Sequence, residues 1–182
     1  MLQPLLDNLF SGKSPREIAH QILNIFMIVT SAFMSWKALA LITNSESPIV
    51  VVLSESMEPA FQRGDLLFLT LPRQEPFIVG DIVVYKIKGQ EIPIVHRILK
   101  IHKNEEDGED YILTKGDNNN IDDRALYNKD QLWIKKSDII GKVKGYLPYI
   151  GYVTIVMSDY PKLKYLLLGV LTILMFFEKE EK

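Results

Sequence analysis

The sequence contains no cysteine at all. That absence excludes disulfide scaffolds, thiolate zinc ribbons and a cysteine nucleophile, and it leaves the redox compartment unreported. There is no excess of basic charge either: 21 Lys and Arg face 23 Asp and Glu, for a net charge of −2, so nothing here is built to neutralise a phosphate backbone and nucleic-acid binding is disfavoured. Histidine is scarce, with three in 182 residues, His20, His96 and His102. The length suits one modest domain with attachments, and the 47% of residues that are hydrophobic are unevenly spread.

The first concentration is Ile22–Thr43, an apolar run with a single charge, Lys37. As a helix it covers about 33 Å, enough to cross a bilayer. Ser14-Pro15-Arg16-Glu17 supplies a cap, a proline at the first helical position and a glutamate three residues after the cap, which predicts a helix start near Ser14. Lys37 beside Trp36 suits snorkelling at the far interface. Lys13 and Arg16 precede the run and no basic residue lies between Lys37 and Arg63, so the positive-inside rule leaves the N-terminus cytoplasmic and places the chain beyond Thr43 on the other side. Ala38-Leu39-Ala40 resembles a cleavage site, but the apolar character resumes beyond Lys37, which favours a retained anchor. The expected organisation is a cytoplasmic segment over 1–20, a transmembrane signal-anchor helix over 21–43, a mainly β domain over 44–160, and a short membrane-associated helix with a charged tail over 161–182.

Within the β region, short apolar runs separated by Gly, Pro and Asp predict strands at Ile49–Leu53, Leu66–Thr70, Ile82–Ile87, Ile92–Ile101, Tyr111–Thr114 and Ile139–Lys144. The polar stretch Lys103–Asp110 reads as a hairpin connection. Tyr165–Phe177 is apolar throughout and covers only about 20 Å as a helix, short of a full span.

Ser56 follows the first of these strands, where a strand end presents a side chain to solvent. A serine hydroxyl is a poor nucleophile until a base takes its proton. His20 is on the wrong side of the membrane for this. His96 and His102 lie in one strand, where regular alternation puts them on one face but about 20 Å apart, so one alone can serve Ser56. His96, among Ile94, Val95 and Ile98, is the better desolvated of the two. Between Lys115 and Arg124, Asp117, Asp122 and Asp123 crowd a turn with Asn118, Asn119 and Asn120. No glutamate closes an EF-hand, so calcium is disfavoured, whereas a carboxylate here is able to orient a histidine. Residue physics alone does not choose between Asp122 and Asp123.

Taken together, SESPIVVVLSESMEPAFQRGDLLFL, GDIVVYKIKGQEIPIVHRILKIH and LTKGDNNNIDDRALY resemble the type I signal peptidases, on the branch of the catalytic subunit of the eukaryotic endoplasmic-reticulum signal peptidase complex. The resemblance implies a membrane-anchored signal-peptidase β fold and a serine endopeptidase that removes signal peptides. It places the nucleophile on Ser56, the base on His96 where bacterial relatives carry lysine, the third member on Asp123, a supporting aspartate on Asp117, and an oxyanion hydroxyl on Ser54. Asp122 matches neither aspartate role as clearly. It further implies no metal or organic cofactor, precursor proteins as substrates bound as extended segments with small residues before the cut, accessory subunits, contact with membrane lipid, and a single-pass protein of the reticulum membrane with its catalytic domain lumenal. Glu55 departs from the small residue that relatives often carry. The alternatives are a non-catalytic membrane-tethered interaction subunit, or a prokaryotic plasma-membrane enzyme with the same chemistry.

Overall fold

The structure, a computed structural model, describes residues 14–73, 75–104 and 108–178. Lys13, one of the two basic residues before the apolar run, and the tail from 179 onward lie outside them, as does part of the Lys103–Asp110 connection. The chain forms two compact units, one ending at Ile42 and the other beginning at Thr43.

The first unit is dominated by one helix, α1, Pro15–Thr43. The capping box closes as the sequence predicts: the Glu17 N–H donates to Ser14 Oγ at 3.3 Å and the Ser14 N–H donates to Glu17 Oε2 at 2.8 Å. The helix thus starts well before residue 21, inside the segment assigned to the cytoplasm. Three of its polar side chains are satisfied locally. Thr30, Ser31 and Ser35 each donate to a carbonyl one turn back, at 2.8, 2.9 and 2.9 Å, leaving none of these hydroxyls in need of water. Among the described residues α1 is the one helix long and apolar enough to cross a membrane. Asn44, with φ of 51°, ends it in the left-handed conformation that asparagine tolerates.

The second unit is built on a seven-stranded sheet, β1 Ile49–Val51, β2 Leu66–Thr70, β3 Ile82–Tyr85, β4 Ile94–Lys103, β5 Asp110–Lys115, β6 Ile134–Lys135 and β7 Ile139–Leu147, in the order β1-β2-β7-β3-β4-β5-β6. Every neighbouring pair is antiparallel. Alternation along β3 explains its central place. Val83 and Tyr85 enter one buried cluster with Ile98, Ile112, Ile134 and Ile139, while Val84 enters another with Val52, Met57, Phe61, Leu67 and Leu69. A strand buried on both faces needs apolar residues at every position, and Ile82-Val83-Val84-Tyr85 supplies them.

Several boundaries differ from the expectation for physical reasons. Strand β4 begins at Ile94 rather than Ile92, because Pro93 has no N–H to give a ladder. Strand β7 runs on to Leu147, since it pairs with β3 at one end and β2 at the other. The two-residue β6 had no pattern of its own. A helix, α2, Tyr152–Asp159, occupies part of the region expected to be β. It is seated by close backbone approach: the Gly151 N–H donates to Gly64 O at 2.8 Å, and a Cβ on Gly64 (φ +93°) would fall 2.2 Å from the Tyr152 ring. Helix α3, Pro161–Glu178, is 18 residues long, about 27 Å, and starts four residues before the apolar run because Pro161 suits a first turn.

Candidate active site

Ser56 lies in the turn just beyond β1, half-buried, on a segment pinned by Met57, whose side chain is fully buried in the second cluster. His96 is in β4 opposite Val83 of β3, and only 3% of it is exposed. Its Nε2 lies 3.0 Å from Ser56 Oγ and its Nδ1 lies 2.6 Å from Asp123 Oδ2. Asp123, 1% exposed, accepts but does not donate, so the ring carries its proton on Nδ1 and Nε2 accepts from the serine hydroxyl. Three elements distant in sequence thus place a hydroxyl, an imidazole and a carboxylate in a line, an arrangement able to activate an oxygen nucleophile against a carbonyl.

The two aspartates left open by residue physics are told apart by a short 3-10 helix, Asp123–Ala125. Asp122 is its cap: one carboxylate oxygen accepts the Arg124 N–H at 3.2 Å and the other lies 3.7 Å from the Arg124 guanidinium. That holds Asp122 on the surface side and turns Asp123 inward to the ring. Asp117 does not touch His96. It grips Arg97, the next residue of β4, through two hydrogen bonds of 2.9 and 2.6 Å, which push the guanidinium pKa further up. The same turn reaches the serine, because the Asn118 N–H donates to Ser56 O at 2.9 Å and the Asn118 amide donates to Glu55 O at 3.2 Å. Gly116 has no room for a side chain: a Cβ would fall 2.7 Å from Ser56 O and 2.9 Å from His96 Nε2. Ser54 Oγ sits 3.2 Å from Ser56 Oγ.

His102 corrects one expectation. It does not share a face with His96, because a bulge between Ile98 and Lys100 inserts Leu99 and reverses the alternation beyond it. Ile98 pairs with Thr114, on the His96 side, whereas His102 pairs with Tyr111, one step out of phase, and is exposed beside Trp133.

Two residues at the site were not foreseen. Tyr85 donates to Asp123 Oδ2 at 3.0 Å and Thr114 Oγ1 donates to the same oxygen at 2.6 Å. Burial, reinforced by the Asp123 charge, pushes the Tyr85 phenol far above its usual range, and burial raises Tyr127 behind it. Strand alternation would have found both, given the register, since Tyr85 and Thr114 lie on the His96 face; the sequence does not carry the register.

The family described as Peptidase S24-like matches residues 17–144, and that described as Signal peptidase C-terminal short helix matches residues 152–177. The chain is similar to the signal peptidase complex catalytic subunit SEC11C of Homo sapiens, 55% identical over 91% of this chain and 85% of the relative. It is 54% identical to that of Rattus norvegicus over the same shares. It is likewise similar to the signal peptidase complex catalytic subunit sec11 of Dictyostelium discoideum, 56% identical over 95% of this chain and 96% of the relative.

Proposed function

From the fact that this chain belongs to the S24-like peptidase family, among the catalytic subunits of signal peptidase complexes, we infer that it removes N-terminal signal peptides from secretory and membrane precursors as a serine endopeptidase. The observation that carries the mechanism is the line from Ser56 through His96 to Asp123, at 3.0 and 2.6 Å. His96 takes the Ser56 proton at Nε2 as Oγ attacks the scissile carbonyl. Asp123 holds the ring and stabilises the imidazolium that forms. The imidazolium then protonates the leaving amine, and water, deprotonated by the same histidine, releases the precursor's N-terminal portion from the acyl-enzyme. The Ser56 N–H and the Ser54 hydroxyl donate to the oxyanion. No step calls for a metal or organic cofactor.

The reading extends to place and partners. The chain acts in the reticulum membrane, held by α1, with the β domain over 44–160 in the lumen and the helix that follows it associated with the membrane, in contact with lipid and with accessory subunits of a signal peptidase complex. Precursors bind as extended segments, with small residues before the cut.

The test is cleavage of a model preprotein in membranes. Ser56→Ala and His96→Ala each lower turnover by ~10⁴-fold or more, the double variant is hardly worse, and His102→Ala is nearly silent. Multiplying losses, or an inactive His102 variant beside an active His96 one, would overturn the assignment.

A further inference from the structure

The Asp123 carboxylate is loaded on one side. Oδ2 takes His96 Nδ1 at 2.6 Å, Thr114 Oγ1 at 2.6 Å and Tyr85 Oη at 3.0 Å, whereas the buried Oδ1 has no hydrogen-bond partner among the described residues. Hydroxyl hydrogens rotate freely about their C–O bonds, and an unpaired buried carboxylate oxygen is costly, so convergence of all three donors on one oxygen is a built feature. The donors behind Thr114 point the same way. The Thr114 N–H donates to Tyr127 Oη at 3.1 Å, and because the Thr114 hydroxyl proton is committed to Asp123, Tyr127 donates its own proton to Thr114 Oγ1 at 2.9 Å. The result is a directed chain from the β5 backbone through Tyr127 and Thr114 into Oδ2, each bond polarising the next.

We propose that Tyr85 and Thr114 are positioning residues for peptide hydrolysis at Ser56: by donating together to Asp123 Oδ2 they fix which oxygen faces His96 and spread the carboxylate charge, so that the proton stays on Nδ1 throughout the cycle. This inference rests on the serine mechanism. The phenol of Tyr85, raised by burial, remains a donor throughout the working range. The other charged and titratable groups around the pair are Glu55 and Glu58 on the serine turn, Arg97 bound to Asp117, Lys115 bound to Gly116 O, Asp122 bound to Arg124, and Tyr127. Substituting Tyr85 or Thr114 removes none of these.

In the intact membrane complex, Tyr85→Phe and Thr114→Val are each expected to lower kcat about tenfold, with KM within about twofold, because a hydrogen bond to a charged group is lost without touching substrate. A carboxylate with one donor fewer keeps more charge toward the ring and holds the imidazolium more tightly. The acid limb of kcat/KM therefore moves to higher pH by about half a unit. Thr114→Ser, which keeps the hydroxyl, restores both quantities. In an Asp123→Asn background, Tyr85→Phe costs nothing further, since it acts through that carboxylate. A fall in kcat with the acid limb unmoved, full additivity with Asp123→Asn, or Thr114→Ser no better than Thr114→Val would each overturn the proposal. An active Ser56→Ala complex would instead bring down the serine mechanism itself.

Discussion

Asp122 and Asp123 are identical side chains one residue apart, and the chain gives them opposite environments. One caps a 3-10 turn and meets solvent; the other is buried with His96, Tyr85 and Thr114. Asparagine is as good a cap as aspartate, so Asp122→Asn should leave turnover within about twofold. Asp123→Asn should cost about 10⁴-fold, because an amide able to donate toward Nδ1 favours the wrong tautomer. Steady-state kinetics on the two variants separates these outcomes. Buried phenols bring a second consequence. Tyr85 stays protonated in the folded chain at a pH where unfolded tyrosines ionise, so the stability it contributes is complete below about pH 10 and is lost above it, by ~1.4 kcal/mol per pH unit, and Tyr127, raised by burial as well, acts in the same direction. Thermal unfolding in detergent from pH 9 to 11 should show Tm falling more steeply for the wild type than for Tyr85→Phe. Ser56, His96 and both candidate aspartates were legible in the sequence, the first two by residue type and surroundings. Residue physics did not choose between the aspartates, because that depends on which way a three-residue turn is capped; it was the family resemblance that pointed to Asp123.

The elements carry the next layer of precision. The turn from Gly116 to Asn119 joins the histidine strand, through Asp117 and Arg97, to the serine turn, through Asn118. Gly116 is the point where all three meet, so Gly116→Ala must displace the Ser56 backbone or the His96 ring. A shift of ~1 Å at reacting atoms costs about 10²-fold, and kcat should fall by that much while limited proteolysis shows the sheet intact. Most strands could be read from alternation and β-branched runs, Leu66–Thr70 to the residue. The features that escaped are those a distant partner decides: the extension of β7 over two neighbours, the two residues of β6, and the bulge at Leu99 that moves His102 to the other face. Helix α2 was missed for a related reason, since its seat is made by glycines 64 and 151, far apart in sequence.

At the scale of the whole molecule, both buried clusters belong to the unit that starts at Thr43, and the Thr43 carbonyl itself accepts the Leu71 N–H at 2.9 Å. A chain begun at Thr43 should therefore unfold cooperatively in detergent with the midpoint of the full chain, and loss of that transition would show that the sheet depends on the first helix. The sheet of this unit has two open rims, β1 with three residues and β6 with two. Long, flat rims invite other copies to pair and propagate, and that is how edge strands seed fibres. A second copy pairing with either terminal strand here meets three residues or two, followed at once by turns, so neither terminal strand offers the long, flat template on which such growth depends.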